Sequence, residues 1–150
     1  MSSEAEFYQA LREWVQVFMS RTMREVHLYL KRKDVTMAQY ATLQRLRNQA
    51  ECGVGDVGNL LGISNAAASQ LVDRLVQQGL VERTEATHDR RVKHLSLTAK
   101  GLALLDDSVV ARMGWTEQLA ATLGPEQRQA VSQALGLLVS AARELEQPVS

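Results

Sequence analysis

Apolar positions recur along the chain at helical spacing almost from its start. Phe7, Leu11, Trp14 and Phe18 step by four, three and four residues, and Val26 and Tyr29 continue the stripe. That pattern predicts a long amphipathic helix ending near Lys33. Thr36 is placed to cap a second helix, whose apolar face is Met37, Tyr40, Leu43 and Leu46 and which runs out by Asn48 or Gln49. A short extended piece is expected from Cys52 to Val54, followed by a short helix over Gly55 to Leu61. Gly62-Ile63-Ser64 reads as a turn, Gly62 taking the left-handed conformation that a helix end requires and Ser64 capping the next helix.

That next helix sets Ala68, Leu71, Val72, Leu75 and Val76 at i, i+3, i+4, i+7 and i+8, an inward stripe that Gly79 terminates. Leu80 to Glu85 and Val92 to Leu97 are the two strand candidates, and the polar stretch Ala86 to Arg91 between them makes a hairpin with a charged tip. Thr98 caps another long helix that reaches about Leu123, where Gly124-Pro125 breaks the chain and Pro125 opens the last helix. There Val131, Leu135, Leu138, Ala142 and Leu145 step by four, three, four and three. The expected fold is mostly α with a small β-hairpin. The heptad-like seams at the two ends of the chain suit helices that pair with a partner along their length, and packing within one monomer fits the same periodicity equally well.

Composition agrees with that picture. With 150 residues, 45% of them apolar, the chain can bury one sizeable core, so a single domain over residues 1–150 is expected. Aromatic residues make up only 5% and there are two prolines, which suits a helical protein. No run of about 18 apolar residues offers a membrane span, and MSSEAEF lacks the basic and apolar regions of a signal peptide, so no membrane partner and a cytoplasmic location are expected. The one cysteine, Cys52, can form no internal disulfide and has no second metal ligand nearby; it reads as a small buried strand residue, with redox sensing the alternative. His27, His88 and His94 are too scattered for a metal motif, and neither a metal nor a cofactor is expected.

Net charge is zero, yet it is unevenly spread. From Arg21 to Arg47 seven basic residues face two acidic ones, whereas from Gly101 to Ser150 three basic face six acidic. Such asymmetry suits a protein with one surface toward phosphates and another toward its own partner.

Helix, tight turn, helix and hairpin, in that order, form a winged helix-turn-helix, whose second helix enters the DNA major groove. A helix seated there presents small or short polar side chains at its first turns, because bulky groups would hold its backbone away from the base edges. Ser64, Asn65, Ala66, Ser69 and Gln70 meet that demand. Asn65 and Gln70 suit adenine, Ser64 and Ser69 suit phosphate or base, and Ala66 or Ala67 suits a thymine methyl. Arg74, one turn further on, is placed to hold phosphate. Without the hairpin, a solvated helix face would explain these residues as well. At the hairpin tip, however, His88, Asp89, Arg90 and Arg91 put two guanidiniums on a projecting loop suited to the narrow minor groove, with Asp89 orienting one arginine.

Three stretches resemble the MarR family of multiple-antibiotic-resistance-type regulators: Val57-Gly58-Asn59-Leu60-Leu61-Gly62-Ile63-Ser64; Leu71-Val72-Asp73-Arg74-Leu75 through Gly79-Leu80-Val81-Glu82-Arg83; and Asp89-Arg90-Arg91 followed by Leu95-Ser96-Leu97-Thr98-Ala99-Lys100-Gly101. The resemblance covers nearly the whole chain. It implies a homodimer whose terminal helices, 4–33 and 98–146, interlock, with a DNA-binding lobe over 36–97. It further implies a pseudo-palindromic operator on double-stranded DNA with half-sites about 34–36 Å apart. Relief by a small aromatic or phenolic effector, bound between the dimer helices and the lobe, is also implied. One departure concerns the wing: the family's acidic residue and proline ahead of Asp-Arg-Arg are replaced by Ala86 and Thr87. Peroxide-sensing members carry a cysteine near the start of the first helix, where this chain has none.

No glycine-rich phosphate loop, His-Glu helix or Gly-x-Ser-x-Gly elbow is present, so an enzyme is not expected. The reading is a transcriptional regulator, expected to act as a repressor. Its rival is a winged-helix adaptor or antirepressor that binds protein and not DNA, which the basic residues Arg90, Arg91 and Lys31-Arg32-Lys33 disfavour.

Overall fold

The computed structural model describes residues 3–49, 51–85 and 93–146. Its elements run α1 (Ser3–Arg32), α2 (Met37–Asn48), α3 (Val54–Leu61), α4 (Asn65–Gln77), β1 (Val81–Glu85), β2 (Lys93–Leu97), α5 (Ala99–Thr122) and α6 (Pro125–Glu146). The backbone divides into two units, Met1–Met113 and Gly114–Ser150, with the division inside α5.

In the first unit five helix boundaries, from the start of α2 to the end of α4, have a local cause. Thr36 accepts from the Gln39 amide and the Gln39 side chain accepts from the Thr36 amide, a reciprocal capping box that starts α2. Gly53 N–H donates to the Asp56 carboxylate at the start of α3. Gly62, at φ 64°, ends α3 in the left-handed region, and Ser64 caps α4 by accepting from Ala67 N–H. Gly79, at φ 72°, ends α4, and Leu80 N–H then reaches back to the Leu75 carbonyl, five residues earlier.

Two boundaries differ from the sequence reading. Val54 is already helical, so the extended piece shrinks to Cys52 and Gly53, and the Cys52 carbonyl takes one 2.8 Å bond from Leu95 N–H on β2. Leu80 belongs to the helix-ending turn, and the ladder runs from Val81↔Leu97 to Glu85↔Lys93. The hairpin's connecting residues, 86–92, lie outside the described residues.

The core of this unit joins all its elements. Val26, Tyr29 and Leu30 of α1, Leu43 of α2, Val57 of α3, Val72 and Leu75 of α4, Val81 of β1, Leu95 of β2 and Leu105 of α5 are buried together. Inside it the polar groups are paired: Tyr29 OH donates to the Leu104 carbonyl, and Tyr40 OH bonds Ser108 Oγ, which donates to the Leu105 carbonyl. Each such pair avoids a desolvation penalty of about 1–3 kcal/mol.

In the second unit, Pro125 is the first residue of α6, where its missing N–H costs nothing. No residue of α6 whose side chain is described is buried, and Val131, Leu135, Leu137, Val139 and Leu145 are all exposed apolar groups. Among the described residues no helix is long and apolar enough to cross a membrane.

Two glycines give opposite expectations. A methyl on Gly101 would run into the Leu80 carbonyl oxygen, so the first turn of α5 lies directly on that backbone. Gly55 has nothing within 4 Å of that position. Gly101→Ala should therefore destabilise by about 1–3 kcal/mol, whereas Gly55→Ala should be neutral or stabilise by up to about 1 kcal/mol. Urea unfolding of the two variants checks the pair; equal effects would contradict the close approach.

Candidate nucleic-acid interface

The helix α4 is held from behind. Ala68, Val72 and Leu75 are fully buried, with Leu71 and Val76 partly so, which matches the predicted stripe. Its outer face is consequently free: Asn65, Ala66, Ala67, Gln70, Asp73 and Arg74 are exposed and Ser69 is half-buried at the margin. Burying three such apolar side chains offsets the cost of displaying polar ones, at about 1.5–3 kcal/mol for each large one.

Within that face the residues differ in freedom. Ser64 is exposed, but its Oγ is already engaged as the α4 cap at 3.2 Å from Ala67 N. Asn65 leans back toward α3, its Oδ1 only 3.3 Å from where a β-carbon on Gly58 would stand. A side chain on Gly58 would also stand 3.2 Å from the Ile63 carbonyl oxygen, so α3 and the start of α4 would have to give by a few tenths of an ångström to admit one. Gln70 and Arg74 make no side-chain hydrogen bond or ion pair among the described residues and share a notch with Thr36, Gln39, Ala67 and Leu71. Its two long polar side chains are available to an outside ligand. Asp73 is paired with Arg83 on β1 at 2.5 Å, which ties the outer face of α4 to the hairpin and neutralises the one carboxylate there. His88, Asp89, Arg90 and Arg91, the expected wing tip, lie outside the described residues.

Sequence reasoning missed the Asp73–Arg83 pair because a helix and a strand ten residues apart share no periodicity. It also missed the polar contacts that close the far end of α4. Gln39, buried, donates its Nε2 to Gln78 Oε1 at 3.2 Å, and Gln78 Nε2 donates to the Asp34 carbonyl at 2.8 Å. Lys100 Nζ donates to the Gln78 carbonyl at 2.8 Å, and Thr98 Oγ1 to the Gly79 carbonyl at 2.6 Å. These donors satisfy carbonyls that a helix end leaves orphaned.

A second feature lies between α1, α2 and the first part of α5. It is a mostly apolar cavity of about 480 Å³ lined by Phe18 and Met23, Met37 and Tyr40, and Arg112 and Met113, among others. Thr22 also lines it, and the Thr22 hydroxyl is buried with no hydrogen-bond partner. An apolar chamber with a cation and an unsatisfied hydroxyl in its wall suits a small, largely apolar molecule bearing a polar group.

Cys52 is completely buried, and burial, with Asp56 adding to it and Arg45 opposing, pushes its thiol above the ordinary value of 9.0. Its thiolate is suppressed at neutral pH, the reverse of what a redox sensor needs. Among the described residues no three His, Cys, Asp or Glu side chains stand close enough to share a metal. His27 sits exposed with Nδ1 2.7 Å from the Met23 carbonyl, and His94 is half-buried on β2.

Comparison with known proteins gives a consistent family. Residues 35–93 match the model described as MarR family. The HTH-type transcriptional repressor MdtR of Bacillus subtilis (strain 168) is 27% identical over 112 residues, 75% of this chain and 72% of the relative. The transcriptional repressor MprA of Escherichia coli (strain K12) is 26% identical over 130 residues, 85% and 74%. Among solved structures, the transcriptional regulator Tm0710 from Thermotoga maritima is similar with a TM-score of 0.78 at 26% identity, covering 95% of this chain and 99% of that one. A Staphylococcus aureus MepR–DNA complex is similar with a TM-score of 0.62 at 22% identity, covering 90% and 99%, a likeness of fold.

The raised thiol has a measurable sign. The neutral thiol is the form the fold favours, so its stabilisation is complete below pH 9.0 and is lost as pH rises through the higher folded value. Stability should decline on the alkaline side, and Cys52→Ala should flatten part of that decline in thermal melts run from neutral to alkaline pH. In the native protein at neutral pH, iodoacetamide should label Cys52 at least about a hundredfold more slowly than in the unfolded chain, as followed by mass spectrometry. Labelling at the free-thiol rate would contradict the burial.

Proposed function

The chain belongs to the MarR family, whose members are transcriptional regulators and not enzymes, and from that premise we propose that it is a repressor. On this reading it is a cytoplasmic homodimer that binds a pseudo-palindromic operator on double-stranded DNA. The observation that carries the proposal is the outer face of α4. Ser64, Asn65, Ala66, Ala67 and Gln70 stand exposed, with Ser69 at the margin, on a helix anchored by its inward stripe and tied to a hairpin. That is the surface a major groove accepts. Gln70 would read a base, Arg74 would hold a phosphate, and Asn65, Ala66 and Ser69 would line the groove contact. His88, Arg90 and Arg91, with Asp89 orienting one arginine, would reach the flanking minor groove.

Dimerisation would use the terminal helices, 4–33 and 98–146, flanking the lobe over 36–97 within one domain. Exposed apolar residues support this: Phe7, Trp14 and Val15 on α1, and Val131, Leu135 and Leu145 on α6. So much apolar surface on one small chain is the mark of an interface. The cavity against Thr22 and Arg112 would take a small aromatic or phenolic effector that relieves DNA binding, its ring among the methionines and its polar group toward the hydroxyl or guanidinium.

Titration of the protein against its own upstream DNA and against scrambled DNA, at two salt concentrations and with the oligomer size recorded, tests the reading. A dimer should prefer its own region by at least about a thousandfold. Gln70→Ala should erode that preference by about 1–3 kcal/mol. Arg74→Ala and Arg90→Ala should weaken both DNAs alike and each lower the salt slope by about one. Equal, weak binding to every DNA would replace the repressor with a protein-binding adaptor.

A further inference from the structure

The far end of α4 is joined to α2 by two side-chain amides, and α2 is also a wall of the apolar cavity. Met37, Tyr40, Ala41 and Gln44 of α2 line that cavity. Gln39, on the same helix, is 4% exposed and turns instead to Gln78, the residue that closes α4. We propose that the Gln39–Gln78 amide pair is a positioning contact that seats the recognition helix and transmits to it any displacement of α2 at the cavity. This rests on reading α4 as the helix that enters the DNA groove.

The geometry leaves the pair little freedom. Gln39 Oε1 is committed to Thr36 N–H at 2.8 Å in the α2 cap, so Nε2 is the end that faces Gln78. Gln78 Nε2 is committed to the Asp34 carbonyl at 2.8 Å, so Oε1 is the end that faces Gln39. Rotating either amide alone would set like atoms against each other at both of its contacts. Asp34 itself is held in the left-handed region, at φ 54°, in the short turn between α1 and α2. Four polar groups from the α1–α2 turn, the first turn of α2 and the end of α4 therefore form one chain of donors and acceptors. Gln39 is buried, Gln78 half-buried and Asp34 exposed, so the chain is least able to exchange its partners for water at the Gln39 end.

Alongside it, the apolar contacts of α4 with the core have no donor–acceptor direction. The amide pair has a direction and a register. Movement of α2 that lengthens the Gln39–Gln78 bond must either break it or draw the end of α4 along. Met37, Tyr40, Ala41 and Gln44 on the cavity wall and Gln39 at the amide pair belong to one capped 12-residue helix, so a push on the wall reaches Gln39 through a single element.

A covalent stand-in for cavity occupancy tests this without a known ligand. Ala41→Phe places a ring in the cavity from α2, and Ala41→Leu does so with a smaller group should the first variant melt early. Two variants break the amide pair: Gln78→Met, and Gln39→Glu, which keeps an acceptor for Thr36 N–H but turns an oxygen toward Gln78. Hydrogen exchange at the Gln78, Gly79 and Leu80 amides and affinity for the upstream DNA are measured for the single variants and for each combination. The expected result is that filling the cavity speeds exchange at those amides and weakens DNA binding, each about tenfold, in the otherwise unchanged protein. In either broken-pair background the same filling should change them less than about threefold. Additive effects, or no effect of cavity filling on the α4 amides, would overturn the proposal. Exchange reports on the amide pair even when no DNA is bound. Loss of DNA preference by the wild type, with coupled exchange intact, would count against the DNA reading and in favour of the contact.

Discussion

A helix that must leave one face open to a ligand can be held only from behind and at its ends, and the first unit is organised around that constraint at α4. Its back is a stripe of Ala68, Val72 and Leu75 with no polar atom in it. The stripe fixes how deep α4 lies but says little about its position along its axis. Polar contacts to other elements bear on that position: the Asp73–Arg83 pair to the hairpin at the middle, and Gln78 at the far end with donors from α2 and α5. The surface ion pair contributes about 0–1 kcal/mol, while the buried amides, once formed, are costly to leave unmade. Orientation therefore depends more on the hidden polar residues than on the visible charged ones.

Most of the helical framework was legible because each device that makes it is local. Thr36, Gly62, Ser64, Gly79 and Pro125 are residues whose own geometry starts or stops a helix, and all five act where their chemistry places them. The inward stripe of α4 was legible for the same reason, since a period of 3.6 needs no knowledge of the partner. The boundaries that shifted are those decided by distant groups. Cys52 looked like part of a strand and contributes one ladder bond to Leu95, a partner forty-three residues away that no local pattern specifies. Leu80, apolar and followed by Val81, looked like the start of a strand, yet its N–H is claimed by the helix it has just left.

Within the candidate site the same division holds. The composition of the exposed face could be read from Ser64 to Gln70, because an inward stripe implies an outward remainder. What could not be read was which of those residues are already engaged. Ser64 is used as a cap and Asn65 lies close over Gly58, so the longest outward reach on the face belongs to Gln70 and Arg74. Gln39 and Gln78 have no special mark in a sequence containing many glutamines; only their meeting, thirty-nine residues apart, gives them a role.

The second unit poses the complementary problem. A helix of 22 residues with Val131, Leu135 and Leu145 exposed has no buried face of its own to stabilise it. Isolated helices of about 12–15 residues are marginal in water, and most helical stability in proteins comes from packing an apolar face. The local devices that start α6, Pro125 and the Gly124–Gln127 bond, set where it begins but do not bury anything. A heptad-like seam with Val131, Leu135 and Leu145 exposed is one that a second copy presenting the same seam would cover in the proposed dimer. In the proposed dimer, α6 would supply a reason to associate that is independent of any demand made by DNA. A chain that failed to bind DNA would still be expected to associate through that helix.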